Sequence, residues 1–140
     1  MSEIPAPCAC MALRKATRAV SRFYDEALAP AGVTITQFSV LRTIARLGDP
    51  PLSRLAEALV MDRTSLYRTL QPMIRVGWIA VEAGKGRNKL AVLRPPGRAQ
   101  MDRAAARWEA AQETFLQRFG ADAWRAVDLG LHRAVEIAQP

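Results

Sequence analysis

Histidine and cysteine are scarce in this sequence, which has one His and two Cys among its 140 residues. A structural zinc site needs about four ligands, and His132 with Cys8 and Cys10 supplies too few. The sequence also lacks a Gly-rich phosphate loop followed by Lys and any recognisable pairing of a nucleophile with a base. We therefore predict that the protein is not an enzyme and that it holds neither a metal nor a cofactor.

Long apolar runs are missing as well, and no stretch approaches the ~20 residues that are needed to span a bilayer. The apolar segment at residues 4–13 follows Glu3 rather than a basic residue, and Pro5 and Pro7 interrupt it, so we do not interpret it as a signal peptide. Half of the residues are hydrophobic, which suits a single folded domain of this length. We expect a cytoplasmic protein without a membrane role.

Positive charge is concentrated in one part of the chain, whose formal net charge is +7. Residues 34–97 contain ten basic and four acidic side chains, whereas residues 98–140 contain six of each. A localised basic excess is typical of a protein that binds a polyanion. A membrane-surface protein would place its cations along one face of an amphipathic helix, but these cations are spread over several short elements and a loop.

The segment that starts at Asp62 has the pattern of an amphipathic helix. Asp62 suits an N-cap position, an apolar stripe follows at helical spacing, and Gly77 suits the stop. Pro72 lies inside this helix and removes one backbone hydrogen bond. The outward positions carry hydrogen-bond donors and no acid, as a helix entering a DNA major groove requires. The alternative is a charged face that is merely solvated.

A second, shorter helical pattern precedes it. Ser53 is a candidate N-cap, and the apolar stripe consists of Leu52, Leu55, Ala56 and Leu59. Only residues 60–62 separate the two helices, and so short a link predicts a helix-turn-helix.

Two short strands are predicted at residues 79–82 and 90–93, where apolar and other side chains alternate. The loop between them contains two glycines and three cations, Lys85, Arg87 and Lys89. Alone this pattern is typical of an ordinary hairpin, but beside a helix-turn-helix it indicates a wing that contacts the minor groove or flanking phosphates.

The remaining segments predict four helices. They cover residues 10–29, a segment capped by Thr34 or Thr36, residues 98–119, and a last segment capped by Asp122. Trp108, Phe115 and other large apolar side chains on the terminal helices favour a twofold dimer, although an intramolecular bundle stays an alternative. The predicted fold is mainly α with a small β-hairpin wing. Residues 1–33 and 98–140 form dimerisation helices around a winged helix-turn-helix at 34–97, in one interlocked domain.

This order of elements resembles the MarR-type winged helix-turn-helix regulators. The resemblance rests on Leu-Ala-Glu-Ala-Leu at residues 55–59, on residues 61–68, on Gly77-Trp78-Ile79, and on residues 90–98. It implies a cytoplasmic homodimer that binds a pseudo-palindromic double-stranded operator. By position, it places Thr64, Ser65, Tyr67 and Arg68 in the major groove and Arg87 in the minor groove. Lys85 stands where the family usually has Asp, and Tyr67 is bulkier than the Thr that is often found there.

We interpret the chain as a sequence-specific transcriptional regulator, a repressor that a small aromatic ligand releases. Candidate pocket residues are Phe23, Tyr24, Phe38 and Trp108, although large apolar side chains of this kind are more often plain core. Two alternatives stay open: a redox-sensing regulator that uses Cys8 or Cys10, and a winged-helix module that binds proteins instead of DNA. The expected DNA contacts are Arg63, Thr64, Ser65, Tyr67, Arg68, Gln71, Lys85, Arg87 and Lys89.

Overall fold

The computed structural model describes residues 7–139, which form six helices and one antiparallel hairpin. Residues 1–6 and 140, which include part of the apolar segment at residues 4–13 and the ends of the predicted dimerisation segments, lie outside the described residues. The predicted fold class, mainly α with a β-hairpin wing, is confirmed. The elements are α1 (Ala9–Leu28), α2 (Ile35–Leu47), α3 (Leu52–Leu59), α4 (Arg63–Arg75), β1 (Ile79–Ala83), β2 (Lys89–Leu93), α5 (Pro95–Phe119) and α6 (Ala121–Ala138).

Two predicted helix starts are confirmed by their capping hydrogen bonds. The Asp62 carboxylate accepts from the backbone N–H of Ser65 at 2.7 Å, at the start of α4. Thr34 caps α2 in a reciprocal arrangement, because its hydroxyl accepts from the Gln37 N–H while the Gln37 side chain accepts from the Thr34 N–H. Each cap satisfies N–H groups that the first helical turn leaves free.

The cap predicted for the short helix was wrong. α3 begins at Leu52 with Pro51 as its N-cap, and Ser53 lies inside the first turn with its side chain exposed. Proline suits a helix start, since the N–H that it lacks would have no partner in the helix.

Two further helix starts differ from the prediction. α5 begins at Pro95 rather than at residue 98, because two consecutive prolines occupy first-turn positions that need no N–H. Asp122 does not cap α6: Gly120 is the N-cap, and Asp122 instead lies 3.4 Å from Arg125 in the first turn.

The main core lies beneath the helix-turn-helix and joins α2, α3, α4 and the hairpin. The apolar stripe of α4 is fully covered there, since Leu66, Leu70 and Met73 are at most 1% exposed. A second cluster joins α2 to α5 through Leu28, Val33, Phe38 and Ala104. The exposed side of α4 is therefore supported from beneath by a packed core.

The hairpin is fastened to the loop between α2 and α3. β1 pairs with β2 in antiparallel register, with Ile79 opposite Leu93. The Pro50 carbonyl accepts from the N–H of Ala91 at 2.9 Å, and Pro51 forms a bridge with Leu90. The position of the wing relative to α3 is thus fixed by backbone hydrogen bonds.

The terminal helices leave much apolar surface uncovered in a single chain. In α1 only Tyr24 and Leu28 are buried, and Leu13 is 42% exposed. α6 has no buried residue, and its Leu129 and Ile137 are 68% and 77% exposed. Among the described residues, no helix is long and apolar enough to cross a membrane.

Candidate nucleic-acid interface

The outward side of α4 presents most of the polar residues that the sequence predicted to contact DNA. Arg63, Thr64, Ser65, Arg68 and Gln71 are all exposed, and they lie opposite the buried apolar stripe. The helix runs unbroken from Arg63 to Arg75 through the exposed Pro72.

The start of α4 is stabilised electrostatically. Hydrogen bonds from Ser65 hold the pKa of the Asp62 carboxyl below its ordinary value of 3.8, and the charge of Arg68 lowers it further. The carboxylate therefore stays ionised near neutral pH and interacts favourably with the helix dipole at its N-terminal end. Its hydrogen bond orders the first turn of α4, where Thr64 and Ser65 lie.

A polar cleft brings α4, the wing and the start of α3 together. From α4 it is lined by Arg63 and Tyr67, which are one helical turn apart, and from the wing by Arg87 and Lys89. Tyr67 is half-buried against the main core, so the aromatic ring fixes this wall of the cleft. Four side chains predicted separately from two segments thus converge on one surface.

Ser53 and Asn88 also line this cleft, and sequence reasoning missed both as contact residues. Ser53 was interpreted as a cap, but α3 starts at Leu52, so Ser53 belongs to a helix N-terminus whose N–H groups are free. That geometry is suited to a phosphate group. A correct start for α3 would have identified this side chain.

Other predicted contacts lie outside the cleft. Thr64, Arg68 and Gln71 extend along the outward side of α4, and Lys85 lies at the exposed tip of the wing. The tip is closed by a hydrogen bond from the Gly84 N–H to the Asn88 carbonyl at 2.8 Å. The tip of the wing and the outward side of α4 are therefore two separate surfaces beside the cleft.

The cations of this surface are available to an external anion. Within residues 7–139, no carboxylate lies within 4 Å of Arg63, Arg68, Lys85, Arg87 or Lys89. The one ion pair of the hairpin joins Arg94 to Glu82 at 3.5 Å, near its base. Exposed guanidinium and ammonium groups without an acidic partner in their own chain are the arrangement that phosphate recognition uses.

Comparison with known proteins identifies the family. A family model described as MarR family matches residues 33–86. The crystal structure of the M. tuberculosis transcriptional regulator MosR in complex with DNA matches with a TM-score of 0.83 and 34% sequence identity, over 95% of this chain and 99% of that chain. The chain belongs to the MarR family. Its fold is that of a MarR-family transcriptional regulator.

Solved structures that are less similar in sequence support the assignment of the fold alone. PcaV from Streptomyces coelicolor, solved in complex with its natural ligand, gives a TM-score of 0.81 at 21% identity, and the match covers 100% of both chains. A mutant of E. coli MarR complexed with operator DNA gives 0.79 at 20% identity, over 89% of this chain and 91% of that chain. No curated protein sequence matches the chain.

In this MarR-family chain the four predicted pocket residues fall into two aromatic groups. Phe38 and Trp108 lie 5.9 Å apart between α2 and α5, and the Arg42 guanidinium stacks over the Trp108 ring at 4.3 Å. Phe23 and Tyr24 instead contact Phe115, between α1 and α5.

Tyr24 is a structural link in its own group. Burial raises the pKa of its hydroxyl, which stays protonated and donates a hydrogen bond to the Gln112 side chain. α1 and α5 are thereby joined by a polar contact within an otherwise aromatic cluster.

The two cysteines lie at the start of α1. Cys8 is the N-cap residue of that helix, and both thiols are exposed and unbridged. No three His, Cys, Asp or Glu side chains of residues 7–139 lie close enough to hold a metal ion.

Proposed function

We propose that this MarR-family chain is a homodimeric regulator that binds a pseudo-palindromic DNA operator and represses transcription until a small aromatic ligand releases it. In this proposal α4 enters the major groove, the wing reaches the minor groove, and the two copies read half-sites about 34 Å apart. A DNA-bound role would place the protein in the cytoplasm.

The polar cleft between α3, α4 and the wing is the observation that carries the DNA-binding part. Arg63, Arg87 and Lys89 line it together with the hydroxyl of Ser53 and the amide of Asn88. A duplex presents a phosphate between the two grooves that α4 and the wing would occupy, and this cleft lies between those two elements. The related MosR was solved with DNA, which supports the same use of the surface here.

Sequence preference would come from the side of α4 beyond the cleft. Arg68 and Gln71 are exposed, and side chains of these types make bidentate contacts with guanine and adenine edges respectively. The wing cations and the cleft would contribute affinity that depends little on sequence.

The homodimer is supported by the apolar side chains that one chain leaves uncovered. Val127, Leu129, Val135 and Ile137 of α6 are between 38% and 77% exposed, and Met11 and Leu13 of α1 are also exposed. Exposed apolar surface of this kind marks an association site. Both helices lie away from the cleft and pack against α5, so a twofold pairing through them would leave both cationic surfaces free.

The ligand part of the proposal rests on the stack of Phe38, Arg42 and Trp108. Phe38 is 2% exposed and belongs to the core, whereas Trp108 is half-buried and Arg42 is exposed beside it. No carboxylate within the described residues lies within 4 Å of Arg42. An aromatic carboxylate could therefore pair with the guanidinium and place its ring against Trp108.

Ligand binding at this stack would alter the distance between the α4 helices of the two protomers. α2 carries Arg42 and packs beneath α3 and α4, while α5 carries Trp108 and packs against α1. Such a ligand must bind one arrangement of α2 relative to α5 more tightly than the other. The change in DNA affinity can be no larger than this difference in ligand affinity.

DNA binding is tested by selecting duplexes from a random library and measuring their affinity by fluorescence anisotropy over a series of salt concentrations. We expect an enriched palindromic sequence, an affinity that falls steeply with salt, and a stoichiometry of one dimer per site. If no duplex binds at about 50 mM salt, where electrostatic contacts are strongest, the DNA proposal is wrong, and a protein-interaction module becomes the better interpretation.

The ligand is tested by thermal-shift screening of aromatic carboxylates, followed by anisotropy with the selected duplex. A ligand that raises Tm and weakens DNA binding supports the proposal. Arg42→Ala should abolish its effect, and Arg98→Ala, at an exposed cation of α5 outside the cavity that Arg42 lines, serves as the control. Release that persists in the Arg42 variant would place the ligand elsewhere. A reporter placed behind the selected operator distinguishes repression from activation.

Redox sensing is a second candidate, and the exposure of both thiols at the start of α1 favours it. Oxidation at Cys8 or Cys10 would alter the start of a helix that the proposed dimer uses. Peroxide should then weaken operator binding by the wild-type protein but not by the variant carrying Cys8→Ser and Cys10→Ser. Equal sensitivity of the two proteins would exclude this mechanism.

A further inference from the structure

The first half of α1 carries a cationic stripe without a partner in its own chain. Arg14, Arg18 and Arg22 recur every four residues and therefore share one side of the helix, with Lys15 beside them. All four side chains are exposed, and no carboxylate oxygen of residues 7–139 lies within 4 Å of them.

This half of α1 also extends beyond the body of the chain. The second half runs antiparallel to α5, because Phe23 contacts Phe115 while Ala19 and Val20 share a surface with Phe119, where α5 ends. Residues 9–18 continue past that end for about 15 Å, and every one of them is exposed. A helical segment of this length has little stability alone, so a second surface is expected to cover it.

α5 presents an apolar groove with an acidic rim. Trp108 and Leu116 line it with Ala121 at the start of α6, and Glu109 and Glu113 stand along its edge. The two carboxylates are exposed and one helical turn apart. Within the described residues neither has a cation within 4 Å, and Glu113 accepts only a 3.4 Å hydrogen bond from Gln117.

We propose that this groove holds the N-terminal half of α1 from a second copy of the chain, with Arg14 and Arg18 of that copy facing Glu109 and Glu113. Each pair is separated by four residues, or about 6 Å along its helix, so the two charge patterns match in spacing. The exposed Met11 and Leu13 supply apolar surface for the groove. The inference rests on the homodimer of the proposed function and specifies one of its contacts.

The chain cannot fill this groove with its own α1. That helix packs on the side of α5 that carries Arg107 and Ala111, where Phe23 and Ala27 line a common surface. Residues two apart in a helix point about 200° around the axis from each other, so Glu109 lies on the side away from its own α1. A twofold axis would repeat the contact, and each dimer would contain two such pairings.

Charge reversal with a complementary rescue tests the contact in the full-length protein. The variants are R14E/R18E, E109K/E113K and the combination of all four substitutions. R46E/R98E, which makes the same charge change as R14E/R18E at two exposed cations outside α1 and the groove, is the matched control for that variant. Sedimentation velocity over a dilution series at about 100 mM NaCl, where screening is moderate, gives each dimer dissociation constant. Circular dichroism verifies that each variant is helical.

We expect each double reversal to weaken dimerisation at least tenfold, the combination to return to within about threefold of wild type, and the control to stay within threefold. A wild-type chain that is monomeric throughout would overturn the dimer itself. Two results would overturn only the proposed contact. In the first, the wild type is a dimer and R14E/R18E has the same dimer dissociation constant as the control. In the second, the fourfold variant dimerises no more tightly than the two double variants.

Discussion

The Asp49 carboxylate accepts a hydrogen bond from the backbone N–H of Leu93 at 2.9 Å, across 44 positions of the sequence. The bond fastens the loop before α3 to β2 and supplements the backbone bond between Pro50 and Ala91. Because α3 and the wing both line the polar cleft, this contact helps to set the shape of that cleft.

Asp49→Ala should therefore destabilise the fold and loosen the wing. The loss of one hydrogen bond to an exposed carboxylate costs about 1 kcal/mol, which urea unfolding can measure. Asp49→Asn is the control, since an amide oxygen can still accept and Asn tolerates the left-handed backbone of this residue, whose φ is +52°. Equal stability of the Ala and Asn variants would show that the bond contributes nothing.

Gly97→Ala should be strongly destabilising. An added Cβ would lie 2.2 Å from the Trp78 carbonyl oxygen and 2.9 Å from its carbon, and both are backbone atoms with little freedom to move. We expect a loss of about 3 kcal/mol or more in the free energy of unfolding. Gly130→Ala in α6, where nothing lies within 4 Å of the added Cβ in the single chain, should stabilise the protein slightly.

Val60→Gly should stabilise the turn of the helix-turn-helix. Val60 has φ +54°, a left-handed conformation that a β-branched residue adopts only with strain, and its side chain is 52% exposed. Relief of that strain should outweigh the flexibility of glycine by about 0.5–1 kcal/mol in urea unfolding. Val76→Gly, at an equally exposed position with φ −87°, should destabilise instead. A loss of stability in both variants would contradict the expectation.

The cap of α4 should make stability depend on pH in the acid range. Because the folded pKa of Asp62 is lowered from 3.8, its ionised form contributes stability above that pH, and this contribution disappears as pH falls through the folded pKa. Asp62→Asn keeps a capping oxygen but does not titrate. The advantage of wild type over this variant, measured by urea unfolding, should therefore shrink between about pH 5 and pH 2. A constant difference would show that the carboxylate charge is irrelevant.

Arg68→Ala and Arg87→Ala should weaken DNA binding in different ways. Loss of Arg87, a phosphate or minor-groove contact in the proposed function, should lower affinity for all duplexes and reduce the salt slope by about one. Loss of Arg68 should cost about 1–3 kcal/mol at the selected operator and relax its sequence preference. Competition anisotropy with operator and scrambled duplexes separates the two effects. Unchanged selectivity of the Arg68 variant would remove that residue from base recognition.

Local sequence signals predicted much of the fold. Asp62 and Thr34 were identifiable as caps because their side chains act on N–H groups three residues away. The hairpin was identifiable because its alternation is a property of neighbouring residues. Proline was harder to interpret: the helix was predicted to begin at residue 98, after two prolines, whereas α5 begins at Pro95. The ring that ends one helix also suits the first turn of another.

Long-range proximity accounts for what the sequence could not predict. The cleft depends on Asn88 and Ser53, which are 35 positions apart and meet only because the wing folds back onto α3. The four aromatic pocket candidates were grouped by residue type, whereas packing divides them between two positions along α5, one at Trp108 against α2 and one at Phe115 against α1. Such relationships follow from tertiary packing, on which local patterns carry no information.

The uncovered state of α6 has a consequence for the protein in the cell. A helix without a fully buried side chain depends on a neighbour for its stability, so a newly synthesised copy would keep a labile C-terminal helix until it dimerises. The monomeric fraction is largest in cells that contain few copies, so proteases would degrade the protein fastest there. The lifetime of the protein would therefore increase with its concentration.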